Sequence, residues 1–319
     1  MIAFLGYRLV AAIPVLLGTT LLIHLLVFAL PGDPVAALFG DGVPTDQQRE
    51  VLRERYGLDE PFVVHYLGSL VALVSGDLGR SYSGEPIAAL VARTLPVTLR
   101  LAALVLLMEL VVGIAVGVVC GLRRGSLFDT GVLAATVVFL SLPVFVVAFV
   151  AQYVFGVWLG WVRPTVGHGA PWTELVLPAA VLACVYSARI VRLTRSSVIE
   201  TAGMDFVRTA RAHGLSGRRV VVVHVARSSL APAMTALATD FGVLLAGATV
   251  TEGIFNVPGT GNELYRAIVR GEGATIVALV TVVVLLFLAV SLIGDVVNAA
   301  LDPRVRMDTR TARGVGDAL

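Results

Sequence analysis

Six runs of apolar residues set the pattern of this chain, separated by short polar breaks and one long polar interval. Leu9–Leu30, Leu95–Leu122, Val132–Leu159, Leu175–Ile190, Leu230–Val250 and Thr275–Ala300 hold few charges, and each approaches or exceeds the roughly 20 helical residues that cross a hydrocarbon layer. The pattern predicts an all-α, polytopic membrane protein with six transmembrane helices. Pro31, Gly32, Asp33 and Pro34 end the first run sharply. The interval from Pro31 to Thr94 follows, 64 residues with nine acids and five Arg, and within it Gln47–Tyr56 and Phe62–Val74 read as two helices, the second interfacial. The Gly-rich stretch Thr251–Gly273 predicts a short helix over Asn262–Arg270. The first run, 22 residues long, exceeds the apolar core of a signal peptide, roughly 7 to 15 residues, and predicts a retained anchor.

Between the fourth and fifth runs lies a basic segment, Arg189–Pro232, with eight Arg against two acids. Inside it, Asp205–Gly214 predicts a short helix outside the bilayer, with Asp205 as a cap near its start and Gly214 as its stop. Val207, Ala210 and Gly214 share one narrow face of small side chains that another protein could approach closely, while Arg208 and Arg211 lie on another. Phe206, Thr209, Ala212 and His213 complete the element. Two readings fit it on physical grounds: a basic amphipathic helix on anionic head groups, or a docking element for a protein.

Composition narrows the function. Apolar residues make up 57% and charged residues 14%, against about 25% charged in soluble domains, which excludes one here. All 24 basic residues are Arg. A phosphate-binding P-loop needs Lys, so a standard nucleotide-hydrolysing site is excluded too. With the first run starting in the cytoplasm, 15 Arg fall on the cytoplasmic side and 8 outside, which predicts cytoplasmic N- and C-termini. Trp158, Trp161 and Trp172 suit an interfacial belt. Cys120 and Cys184 read as small buried hydrophobes, and His24 as a helix-packing side chain.

Catalysis finds no support: the apolar runs hold no paired carboxylates at helical spacing, no Ser and His at matching depth, and no metal-ligand cluster. Glu109, Asp240 and Asp295 remain as intramembrane acids, and such groups face a bundle interior or water. Asp240, Phe241, Gly242 and Gly247 form a neighbourhood that could line a path through the bundle, with Asp240 facing it. A helix-to-helix hydrogen bond explains Asp240 equally well. Asp295 reads as structural, and Glu109 has no assignable partner.

The residues Thr209–Leu215 and Val223–Pro232 closely resemble the cytoplasmic loop of permease subunits in bacterial ABC importers. Arg208 and Thr209 stand where the general pattern has Glu and Ala, a departure typical of the dipeptide and oligopeptide branch. Arg55–Asp59 with Pro61, Gly76–Gly79, Arg124–Asp129, Leu245–Ala248, Thr251, Glu252, Ile254, Phe255, Pro258, Gly259, Gly261 and Leu301–Arg306 extend the resemblance over nearly the whole chain. It is similar to the B-type permeases of dipeptide, oligopeptide and nickel importers, most of all the dipeptide branch.

That resemblance implies a type I ABC importer permease fold in a bacterial inner membrane. It divides the chain into residues 1–30 (N-terminal end and first span), 31–94 (extracytoplasmic), 95–303 (transmembrane core with coupling loop 192–229) and 304–319 (cytoplasmic tail). It implies half of a peptide translocation pore, with Asp205–Gly214 coupling to ATPases. The implied partners are a second homologous permease, two ABC ATPase subunits carrying ATP and Mg, an extracytoplasmic substrate-binding protein and the lipid bilayer, with no nucleic acid and no cofactor in this chain. A nickel or glutathione permease is the alternative within the family. An ion-gradient-driven secondary transporter is the rival outside it, although no internal repeat supports one; a scaffold protein without transport is a second.

Overall fold

The computed structural model describes residues 2–29, 45–47, 50 and 61–301. Most of the helix expected over Gln47–Tyr56, the Pro31–Pro34 break and the tail beyond Leu301 lie outside the described residues, as does most of the Arg55–Pro61 motif. The described residues are helical apart from turns and one isolated bridge between Arg80 and Pro86. In chain order the helices are α1 (Ile2–Ala29), α2 (Phe62–Val74), α3 (Ile87–Leu122), α4 (Leu127–Ser141), α5 (Val144–Ala151), α6 (Trp172–Ala202), α7 (Asp205–Ala212), α8 (Arg227–Phe255), α9 (Thr260–Val269) and α10 (Gly273–Leu301). Wider π-helical turns over Gln152–Trp158 and Val220–Ala226 follow α5 and precede α8.

Among the described residues four helices, drawn from α1, α3, α6 and α10, are long and apolar enough to cross a membrane. Two bent pairs add one span each if counted whole, giving the expected six. The third expected span breaks at Pro143, where α4 turns by 105° into α5 and its π-turn; Leu142 is extended at that point, as the residue before a proline prefers. The fourth span runs on without a break to Ala202. Arg189, Arg192 and Arg195 therefore sit on a transmembrane helix rather than in a loop.

The chain forms two compact units. The first comprises residues up to Thr98 and from Pro258 onward. Its core joins Ile87 and Leu90 of α3, Leu264 and Ala267 of α9, and Ile276 and Leu279 of α10, with Ile23 and Val27 of α1 against them. The α9 start has no side-chain cap of its own; Thr98 Oγ1 accepts the Thr260 N–H at 2.9 Å. Tyr66 of α2 donates to the Leu17 carbonyl of α1 at 3.0 Å. His24 packs as expected, with Nδ1 2.7 Å from the Thr20 carbonyl and its ring edge against Tyr66.

The second unit, Leu99–Val257, packs α6 at its centre. Leu101 and Val105 of α3, Ala179 and Leu182 of α6, and Leu244 and Ala248 of α8 form its core. Gly113, Gly117 and Gly121 make a stripe along α3 at every fourth residue. A Cβ at these positions would lie 2.7 Å, 2.6 Å and 2.6 Å from Ile190, Thr194 and Val198 respectively. Such stripes let transmembrane backbones close together, where dispersion and polar contacts replace the hydrophobic effect. Both series ascend together, so α3 and α6 run parallel.

Candidate functional site

The short helix α7 forms where the sequence places it, although its contacts differ from expectation. Its N-cap is Met204, in extended conformation, and Asp205 is the first helical residue. The Asp205 carboxylate lies 3.8 Å from Arg208 with both side chains exposed, so it stabilises little. Gly214 ends the helix at φ +76°, and its N–H donates to the Arg211 carbonyl at 2.9 Å.

Eight residues form too short a helix to stand alone in water. Val207 and Ala210 therefore turn inward and are buried against Val198 of α6 and against Val220 and Val225 of the second π-turn. Of the face of small residues, Val207 and Ala210 are thus covered by the chain itself, while Gly214 stays exposed. Phe206, Arg208, Thr209, Arg211, Ala212 and His213 face outward, which leaves a basic surface with one aromatic side chain at its edge.

A second fixture holds this end of the molecule. Arg195 of α6 meets Asp129 of α4 as a fork, with Nε 2.5 Å from Oδ1 and Nη2 2.7 Å from Oδ2. Asp129 Oδ2 also accepts the Gly125 N–H at 2.9 Å, and Ser126 caps α4 by accepting the Asp129 N–H. The turn after α3 is thereby tied to the lower part of α6. The Arg124–Asp129 motif does not reveal this pairing in the sequence, since nothing local links Asp129 to one Arg among the eight.

In the second unit the acids come together. Asp240 of α8 is ion-paired with Arg189 of α6, and the Arg189 Nη2 also donates to the Ala236 carbonyl at 3.3 Å. The Glu109 carboxyl of α3 lies beside Asp240 and is fully buried. A carboxyl pair thus exists here, assembled from two helices rather than from one helix face, which is why no spacing along the chain revealed it. Glu109 lies next to this ion pair, with neither carboxyl oxygen hydrogen-bonded to a described residue.

Of the candidate path residues, Asp240 makes a helix-to-helix contact, Gly242 is buried and Phe241 half-buried. A Cβ on Gly247 would lie 2.6 Å from the Tyr186 hydroxyl. Cys120 is buried, but Cys184 is exposed on α6, contrary to expectation.

Residues 113–307 match the family model described as binding-protein-dependent transport system inner membrane component, and residues 1–102 match the model of its N-terminal part. A Brucella abortus (strain 2308) protein provisionally named a peptide transport system permease is 36% identical over 97% of this chain and 100% of its own length. The di/tripeptide transport system permease protein DppB of Pseudomonas aeruginosa (strain UCBPP-PA14) is 34% identical over 96% of this chain and 99% of its own. The dipeptide transport system permease protein DppB of Escherichia coli K12 is likewise 34% identical, over 96% and 99%. Together with the helical architecture, these matches establish that the chain belongs to the family of inner-membrane permease components of binding-protein-dependent ABC transport systems.

Proposed function

We propose that this permease forms half of the translocation pore of an ATP-driven importer of dipeptides or short oligopeptides, working beside a second permease, above two ATPase subunits and beneath a substrate-binding protein. The names of its full-length relatives support the peptide class. In this reading both termini are cytoplasmic, as the distribution of Arg favours. ATP and Mg bind only to the ATPases, and motion enters this chain through Asp205–Gly214.

The outward basic face of α7, fixed to α6 by Val207 and Ala210, carries the coupling assignment. Such an element can transmit force because it is docked on a long helix, and it can engage a partner because Phe206, Arg208 and Arg211 stay free of that docking. Pull-down of the tagged permease from detergent, with mass spectrometry of what co-purifies, tests the reading. A second permease and ATPase subunits are expected with the wild-type chain. The double variant Arg208→Glu/Arg211→Glu should insert normally and lose the ATPases; retention of both ATPases with full ATP-driven uptake would refute the role given to α7.

A further inference from the structure

Arg189 stands at a depth where an exposed guanidinium needs an explanation. The contact of Gly113 with Ile190 fixes the register of α3 against α6. Gly113 is ten residues from Arg123, so Arg189 lies about 15 Å from the end of α3, near the middle of a layer roughly 30 Å thick. Its side chain is nevertheless 51% exposed on the surface of its unit, while that of Asp240 is 4% exposed.

Nη2 alone is engaged, by Asp240 and the Ala236 carbonyl; Nε and Nη1 have no partner among the described residues. Guanidinium stays charged in proteins, and acyl chains offer its N–H groups no acceptor. The open edge of Arg189 must therefore face water or another polar group. The free Nε–H and Nη1–H groups point to different sides of the guanidinium, so each can make one charge-assisted hydrogen bond, for which a carboxylate oxygen is a strong acceptor. Asp240 Oδ1 holds Nη2, with Glu109 packed next to it, so the guanidinium is oriented and its charge is partly offset. An anion meeting it is held weakly enough to move on.

We propose that Arg189, oriented by Asp240, is a point in the translocation path that binds the terminal carboxylate of the passing substrate. This rests on the peptide reading above, since a terminal carboxylate is the anionic group that peptides share whatever their side chains. Recognition of that group would let the pore accept many sequences. Asp240 is then a positioning residue and does not itself meet the peptide.

The test uses the assembled transporter with its binding protein in proteoliposomes. ATP-driven uptake of radiolabelled dialanine and of dialanine amide is compared, each at a concentration that saturates the binding protein. The variants are Arg189→Lys and the double change Arg189→Gln/Asp240→Asn, which leaves no unpaired Asp240 charge. In the double variant dialanine uptake should fall about tenfold, the effect of losing one charge-assisted hydrogen-bonded pair, while amide uptake stays unchanged. Arg189→Lys, which keeps the charge but has one nitrogen to share between Asp240 and the substrate, should rescue dialanine uptake only in part. Equal loss for both probes, no loss for either, or full rescue by Lys would overturn the assignment while leaving the peptide reading intact. Loss of the second permease from the double variant would overturn it in favour of a subunit contact. Absence of uptake of both probes by the wild-type assembly would instead remove the peptide reading, and the proposal with it.

Discussion

At the scale of single residues, the glycines of the second unit separate into those that permit contact and those that do not. Gly117 has Thr194 and the Val191 carbonyl oxygen inside the radius of a methyl group, at 2.6 and 2.9 Å. Gly117→Ala should therefore force α3 and α6 apart and destabilise the protein by about 1–3 kcal/mol, as overpacking does. Gly131 of α4 has nothing within 4 Å of its would-be Cβ and no positive φ. Gly131→Ala should be neutral or stabilise by up to about 1 kcal/mol, because glycine is the weaker helix former. Thermal unfolding in detergent, followed by fluorescence, distinguishes the two; similar melting for both variants would refute the close-contact account. This distinction was absent from the sequence reading, which noted the loops' glycines and passed over the stripe at Gly113, Gly117 and Gly121. The four-residue spacing was there to be found, but its partners Ile190, Thr194 and Val198 belong to another helix.

At the scale of elements, α7 and α9 show how short helices are held by neighbours. The first turn of α9 depends on Thr98, a side chain of α3. Thr98→Val should leave the buried Thr260 N–H without that acceptor and cost about 1–2 kcal/mol, seen as a lowered melting temperature with insertion unchanged. For α7, Ala210→Trp should disturb the packing on α6 as well as any partner contact, because Ala210 points inward. Arg208→Ala, by contrast, should weaken ATPase recovery by less than about fivefold, since an exposed charge contact is worth about 1 kcal/mol or below. Quantitative pull-down of ATPase measures this difference, and a stronger effect from Arg208→Ala than from Ala210→Trp would contradict the orientation of the helix. The sequence placed α7 within two residues of its C-terminal bound. It could not say which face was taken, because small size marks close approach without naming who approaches.

At the scale of the whole molecule, hydropathy alone located the four unbroken spans and the two bent pairs, and the ordered motifs located the family. The breaks within spans were harder to read. Pro143 was visible, but apolar residues continue on both sides of it, so a bend of 105° leaves the hydropathy profile unmarked. The polar cluster of Glu109, Arg189 and Asp240 escaped for the opposite reason: each residue stood out singly, and only packing of three helices made them one group. Arg195 and Asp129 were missed in the same manner, joining two segments 66 positions apart.

The tight seam between α3 and α6 has a genetic corollary. Room for a methyl group at Gly121 must come chiefly from its opposite number, because Val198 Cγ1 and Cβ stand 2.6 and 2.7 Å from where that group would be, closer than the Arg195 carbonyl oxygen at 3.0 Å. Among revertants selected from an inactive Gly121→Ala strain, suppressors should cluster at Val198, trimmed to Gly, since Ala would keep the Cβ 2.7 Å away, and not among the outward residues of α7.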